Sequence, residues 1–360
     1  EFDYVVVGAG SAGCAVANRL SQCGKYIVAL IEAGPKDNNP WIHVPVGYYR
    51  TMGNPKSDWR YETQSDVGIA GRSIPWPRGR VMGGSSSING LLYVRGQARD
   101  FDVWSQLGCA GWSWDEVLPY FKRSENWDGI DESGLRGKDG PLSVQSARLK
   151  RDIVDHWVDA AVTAGYQRNY DYNGCTQEGV GHFQLTMKGG RRCSSSAAYI
   201  TPIKNRKNLK IITNAQTKKV NIVNGRAISV DIDIKNKMDT ISARREIIIC
   251  AGAIGSPQIL MLSGIGPGED LKNLGINVIS DLAGVDSATY ATYLFYQLNT
   301  RTYKVNYVNI PLMLKMKTNE IGYLTYYGQF GLLTSIMTKA RSNDDVTLSG
   351  TVSSLEDLNI

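Results

Sequence analysis

The strongest constraint on the fold sits in residues 4–13, which read YVVVGAGSAG. A β-branched apolar run of strand length leads into Gly8-x-Gly10-x-x-Gly13. Ala12, Val16 and Leu20 then recur at four-residue intervals, which predicts a helix packed on a sheet, and Gly24 is placed to end it. A second apolar strand, YIVALI, stops at Glu32. This strand–turn–helix–strand order predicts a dinucleotide cradle. Gly8 permits the sharp turn, Gly10 leaves room for a pyrophosphate, and Gly13 lets helix and strand pack closely. The helix N-terminus faces the phosphates with unpaired N–H groups, and Glu32 can accept from both ribose hydroxyls. An acid there disfavours a 2′-phosphate, so NADP is not expected, while NAD and FAD both remain open.

Bulk composition narrows the class without choosing a function. The chain has 360 residues, 42% hydrophobic and 21% charged, the balance of a soluble protein with one large core or two domains. No run of about 18 apolar residues and no signal peptide is read, so no membrane span is expected. The formal charge of +6 is scattered, apart from short clusters such as Lys204–Lys210, which reads as a solvated surface and makes nucleic acid an unexpected partner. Six cysteines without a C-x-x-C pair read as reduced packing residues of an intracellular, cytoplasmic protein.

A nicotinamide enzyme uses one such cradle and leaves residues 78–96, RGRVMGGSSSINGLLYVRG, without a task. This stretch resembles the first signature of the glucose–methanol–choline (GMC) flavoprotein oxidoreductases, with Met82 a mild departure of similar volume. Residues 252–266, GAIGSPQILMLSGIG, resemble the second signature throughout. DWRYETQ, GWSWDEVLPYFKRSE, QEGVGHFQ, GGRRCSSSAAYI and ARREIIICAGAIGSPQ resemble the choline-dehydrogenase-like branch, and the likeness runs from about residue 3 to about 285. It implies FAD. A broad flavin and its pyrophosphate need close backbone approach, which accounts for the small residues of 79–90.

By this resemblance the cofactor-binding residues are Gly8, Gly10, Ser11, Ala12, Gly13, Glu32, Ala33 and Trp59, then Arg80, Val81, Gly83, Gly84, Asn89, Gly90 and Leu92. Val94 is expected beside the flavin ring, the Val220 backbone against the adenine, and Ala251 and Gly252 at a second strand-to-helix junction. Some members tether FAD through a histidine in the first-signature loop; residues 85–89 hold none, so a noncovalent flavin is expected.

The implied fold class is α/β: a discontinuous Rossmann-like FAD-binding domain with a second, sheet-containing substrate domain, incomplete in this chain. Residues 1–285 are expected to form the FAD-binding domain, with a helical and loop insertion at about 100–190 in which Trp112 and Trp114 pack. Residues 286–360 are expected to begin the substrate domain. Strands are expected across 209–234 around an Asn224-Gly225 hairpin, EIIIC reads as a parallel-sheet strand, and Pro257 suits a first helical turn.

The family's alcohol oxidation needs a base titrating near neutrality, and the resemblance places that histidine beyond the second signature. Only His43, His156 and His182 occur, all upstream, so no catalytic residue and no metal ligand is assigned. His182 reads as a packing or hydrogen-bonding residue, and His43 lies in a segment near the cofactor. The Gly-Val at 284–285 leads into Asp286-Ser287 rather than the family's usual text, and the chain reads as incomplete. The expected function is FAD-dependent oxidation of a small-molecule alcohol, with electrons passing to a quinone, another acceptor or O2. The alternative is a catalytically inactive flavin-binding scaffold, one that could bind an acidic polymer.

Overall fold

The computed structural model describes residues 1–147 and 151–282. They divide into two units, one of Glu1–Asp100 with Trp114–Ala251, the other holding Phe101–Ser113 and the chain from Gly252 onward. The segment 286–360, expected to begin a substrate domain, lies outside the described residues.

The first unit is organised by a six-stranded sheet of β1 (Phe2–Val7), β2 (Val28–Ile31), β3 (Leu209–Ile212), β4 (Ala215–Val223), β5 (Arg226–Ile234) and β6 (Lys237–Ile249), in the order β3-β2-β1-β6-β5-β4. The strands β3, β2 and β1 are parallel, with Leu209 and Tyr4 both opposite Val28. Every residue of β2 is buried, as are Val5–Val7 and Ile247–Ile249, which is why these segments read as unbroken apolar runs.

EIIIC forms only the end of β6. From Lys237 to Ser242 this strand pairs antiparallel with β5, and from Ala243 to Ile249 it pairs parallel with β1. Its largely exposed first half carries no apolar signal, so the sequence shows only the buried end. The hairpin β4–β5 turns at Asn224 and Gly225, both left-handed (φ 50° and 74°), as a two-residue primed turn requires.

Helix α1 (Ser11–Leu20) follows β1 and stops earlier than Gly24: Ser21 ends it, its hydroxyl donating to Ala17 O at 2.7 Å. Gly24, at φ 73°, instead shapes the turn leading to β2.

The 100–190 region holds α2 (Ala98–Gln106), α3 (Trp114–Ser124) and α4 (Asp152–Thr163). It also holds a three-stranded sheet of Glu125–Trp127, Leu142–Ser146 and Gln184–Leu185 that the helical and loop expectation lacked. Glu125–Trp127 and Gln184–Leu185 carry too few residues for an alternating pattern. Their anchor is ionic. Buried Glu125 accepts from Arg95, from Arg136 Nη2 at 2.5 Å and from Gly137 N at 2.8 Å, while Arg136 Nη1 reaches Asp171 Oδ1 at 2.5 Å.

In the second unit, Trp104 meets Phe101 and Trp112 edge-on, with centroids 5.2 and 5.7 Å apart. Helix α5 (Gly252–Leu262) begins before Ser256, so Pro257 falls in its second turn rather than its first. Helix α6 (Gly268–Asn273) follows. In the first unit Trp114 packs on Phe121, so both tryptophans of the 112–114 cluster have aromatic partners. Cys14, Cys109, Cys193 and Cys250 are buried, Cys23 and Cys175 are exposed, and all six are free thiols. No helix among the described residues is long and apolar enough to cross a membrane.

Candidate functional site

The site is built from backbone. Gly8 sits at φ 96°, where a methyl group would stand 2.4 Å from Cys250 O; on Gly13 it would stand 1.8 Å from Gly8 O. These two glycines press turn, helix and β6 together. Gly10 is different, because the atom nearest to a methyl there is Gly84 Cα at 3.9 Å. A methyl there would make only an ordinary contact.

The first-signature loop closes on this turn. Gly83 N donates to Ala9 O at 2.7 Å and Met82 N to Pro35 O at 3.0 Å. A methyl on Gly34 would lie 2.0 Å from Arg80 O, and one on Gly84 2.7 Å from Gly10 Cα. The turn at 8–13, the end of β2 and the loop at 79–84 thus meet without side chains between them, and Ala251 borders Gly8 on the side of β6. Gly252, at φ 82°, opens α5 in the second unit.

Helix α1 has no side-chain cap and no acid in its first turn, and Ser11 and Ala12 are exposed there. Its first N–H groups carry the positive end of the helix dipole. Glu32 is buried; its carboxylate accepts from Ala9 N and Gly34 N, both at 2.9 Å, and burial pushes its pKa up to about 7 against those two donors. Ala33 next to it is half-buried.

Arg80 lies over the Trp59 ring, 5.0 Å from its centroid, and Trp59 stacks on Tyr61 at 6.0 Å. The buried Arg80 Nε has no hydrogen-bond partner among the described residues. The Val81 side chain packs with Ile42 and Ile88. Asn89 and Gly90 are exposed, as are Leu92 (51%) and Val94 (54%), a row of open positions following the loop. Val220 is buried in β4 opposite Val230.

The histidines take ordinary partners. His43 Nε2 lies 2.7 Å from Asp37 O, and His182 Nε2 lies 2.8 Å from Asp155 Oδ1. His156 is exposed on α4. Among the described residues no group of three His, Cys, Asp or Glu side chains could hold a metal ion.

Sequence reasoning missed Arg192, which supports the loop from behind. Its Nε donates to Ile42 O at 2.8 Å, and its Nη1 donates to Ser86 O at 3.1 Å and Asn89 Oδ1 at 2.7 Å. The signal was present as one arginine of GGRRCSSSAAYI, but nothing in the text separates it from the exposed Arg191.

A family model described as GMC oxidoreductase matches residues 2–282. An oxygen-dependent choline dehydrogenase of Brucella anthropi is 46% identical over 285 residues, covering 79% of this chain and 52% of that protein. The chain therefore spans about half the length of the curated relatives it matches. Pyridoxine 4-oxidase from Mesorbium loti superposes with a TM-score of 0.75 at 34% identity, over 79% of this chain and 56% of the other. An FAD-dependent oxidoreductase from Chaetomium thermophilum superposes with a TM-score of 0.74 at 29% identity, over 79% and 51%.

Proposed function

The chain belongs to the GMC oxidoreductase family, and from that premise we propose that it is the flavin-binding part of an FAD-dependent enzyme that oxidises an alcohol to a carbonyl. The observation that carries this reading is the close approach of Gly84 to Gly10, where a methyl on Gly84 would stand 2.7 Å from Gly10 Cα while one on Gly10 would make only ordinary contact. The donor set suits FAD. The uncapped N–H groups of α1 fit a pyrophosphate, Glu32 fits ribose hydroxyls, and the unpartnered Arg80 Nε is a buried donor short of an acceptor.

In this reading Ser11, Ala12 and Gly13 bind phosphate through backbone N–H groups, and Gly10 leaves room for it. Glu32 and Ala33 hold the adenosine end, with the Val220 backbone on the adenine. Trp59, Arg80, Val81, Gly83 and Gly84 keep the loop in register. Asn89, Gly90, Leu92 and Val94 line the flavin side, with Ala251 and Gly252 at the second junction. When bound, FAD would supply the hydride acceptor for the alcohol carbon. The chain's part is to hold that acceptor still and exclude water from it.

Noncovalent attachment belongs to this reading, because Ile88 occupies the buried place in a loop without histidine. So do a small alcohol as substrate, choline included given the relatives' names, and a quinone, another acceptor or O2 as oxidant. Residues 1–285 are taken as the FAD-binding domain and 286–360 as the start of a substrate domain.

The test is direct. Protein purified with FAD should show flavin absorbance near ~450 nm, release all of it on acid precipitation, and bleach anaerobically with at least one alcohol of a panel that includes choline. A chain that takes up no FAD overturns the reading. Flavin left on the acid pellet overturns the noncovalent part, and uptake without bleaching by any alcohol overturns the activity.

A further inference from the structure

Arg192 is 3% exposed and its guanidinium has no carboxylate partner among the described residues. Its Nη2 is buried without a hydrogen-bond partner among the described residues, and burial lowers the pKa of the guanidinium to about 10. A buried cation held only by carbonyl dipoles and one amide is costly. It sits at the end of a tight hairpin, Met187–Lys188 against Arg191–Arg192, and reaches both Ile42 and the first-signature loop.

Its contact with Asn89 has a directional consequence. Asn89 Oδ1 accepts from Arg192 Nη1 at 2.7 Å and from Leu91 N at 3.1 Å. With the oxygen held by two donors, the planar amide must turn its Nδ2 the other way. That group makes no hydrogen bond among the described residues, although the side chain is exposed.

We propose that Arg192 is a positioning residue of the flavin site: it clamps the Ser86–Asn89 turn and fixes the Asn89 amide with its N–H donors outward, ready for an acceptor on the bound cofactor. The inference rests on the flavin reading above. Arginine is required because its fork reaches three carbonyl oxygens at once, which the point charge of lysine does not.

The experiment is FAD titration of the full chain and of R192K, N89A and the double variant, with thermal unfolding of each apoprotein. R192K and N89A should each bind FAD at least tenfold more weakly. The double variant should lose little beyond either single one, because both remove the same donor. Purely structural damage would instead lower apoprotein stability and add to the N89A loss. R192K binding within fivefold of wild type overturns the proposal, as does a double variant whose losses multiply. Should R192K not fold, R192Q takes its place under the same criteria, and unchanged affinity in N89A overturns the proposal. A wild-type chain that binds no FAD overturns this inference together with the reading beneath it; normal binding that ignores both substitutions overturns this inference alone.

Discussion

Two glycines of one motif do different physical work. Gly13→Ala puts a methyl 1.8 Å from Gly8 O, so backbone must move, and a loss of about 3 kcal/mol or more is expected in urea unfolding. Gly10→Ala meets nothing closer than 3.9 Å at an ordinary φ of −77°, so apoprotein stability should stay within about 0.5 kcal/mol while FAD affinity falls at least tenfold. Glu32 adds a pH dependence. Its folded pKa is raised, so below about pH 7 the buried carboxyl holds a proton that the unfolded chain, with its ordinary value of 4.5, has already lost above that pH. Its contribution to stability therefore falls as pH rises from 4.5 to about 7. Ribose hydroxyls donate to the carboxylate form, so FAD affinity should rise as pH rises through about 7 and flatten above it. Titrations between pH 5.5 and 8.5 should show that slope in the wild type and lose it in E32Q.

At the scale of elements, stability concentrates where local conformation or charge admits no substitute. The hairpin between β4 and β5 needs left-handed backbone at Gly225, φ 74°, so Gly225→Ala should cost about 1–2 kcal/mol, read as a lowered thermal midpoint. The short sheet of the insertion depends on Glu125, which is buried with Arg95 and Arg136. Glu125→Gln leaves the buried Arg95 guanidinium without its anion and Arg136 with Asp171 alone, and a loss of about 3–5 kcal/mol is expected in urea unfolding. Legibility differed between these elements for a physical reason. An Asn-Gly pair announces its turn through local sterics, whereas the ion network joins residues 95, 125, 136 and 171, whose pairing exists only after the chain has folded. The same holds for β6, whose exposed first half is specified by its partner strand rather than by its own periodicity.

At the scale of the whole molecule, ligand and fold are thermodynamically linked. FAD at a hundred times its dissociation constant should stabilise the protein by about 2.7 kcal/mol, visible as a higher thermal midpoint. The Gly10→Ala variant should show little of that gain at the same FAD concentration, although its apoprotein melts like the wild type. Equal gains in the two proteins would place the cofactor elsewhere.

The sequence by itself determined the nucleotide-cradle order of strand, turn, helix and strand, the acid at position 32, the hairpin, and the two signatures that identify the family. These are local properties: each depends on residues near in the chain, acting through sterics, periodicity and backbone conformation. Only the tertiary structure decided that Gly84 would face Gly10, that Val81 would turn its side chain into the core, and that Arg192 would stand behind Asn89 rather than in solvent like Arg191. Such pairings bring together residues as much as 103 positions apart, and the burial that sets their charge state and hydrogen bonds arises from partners distant in the chain.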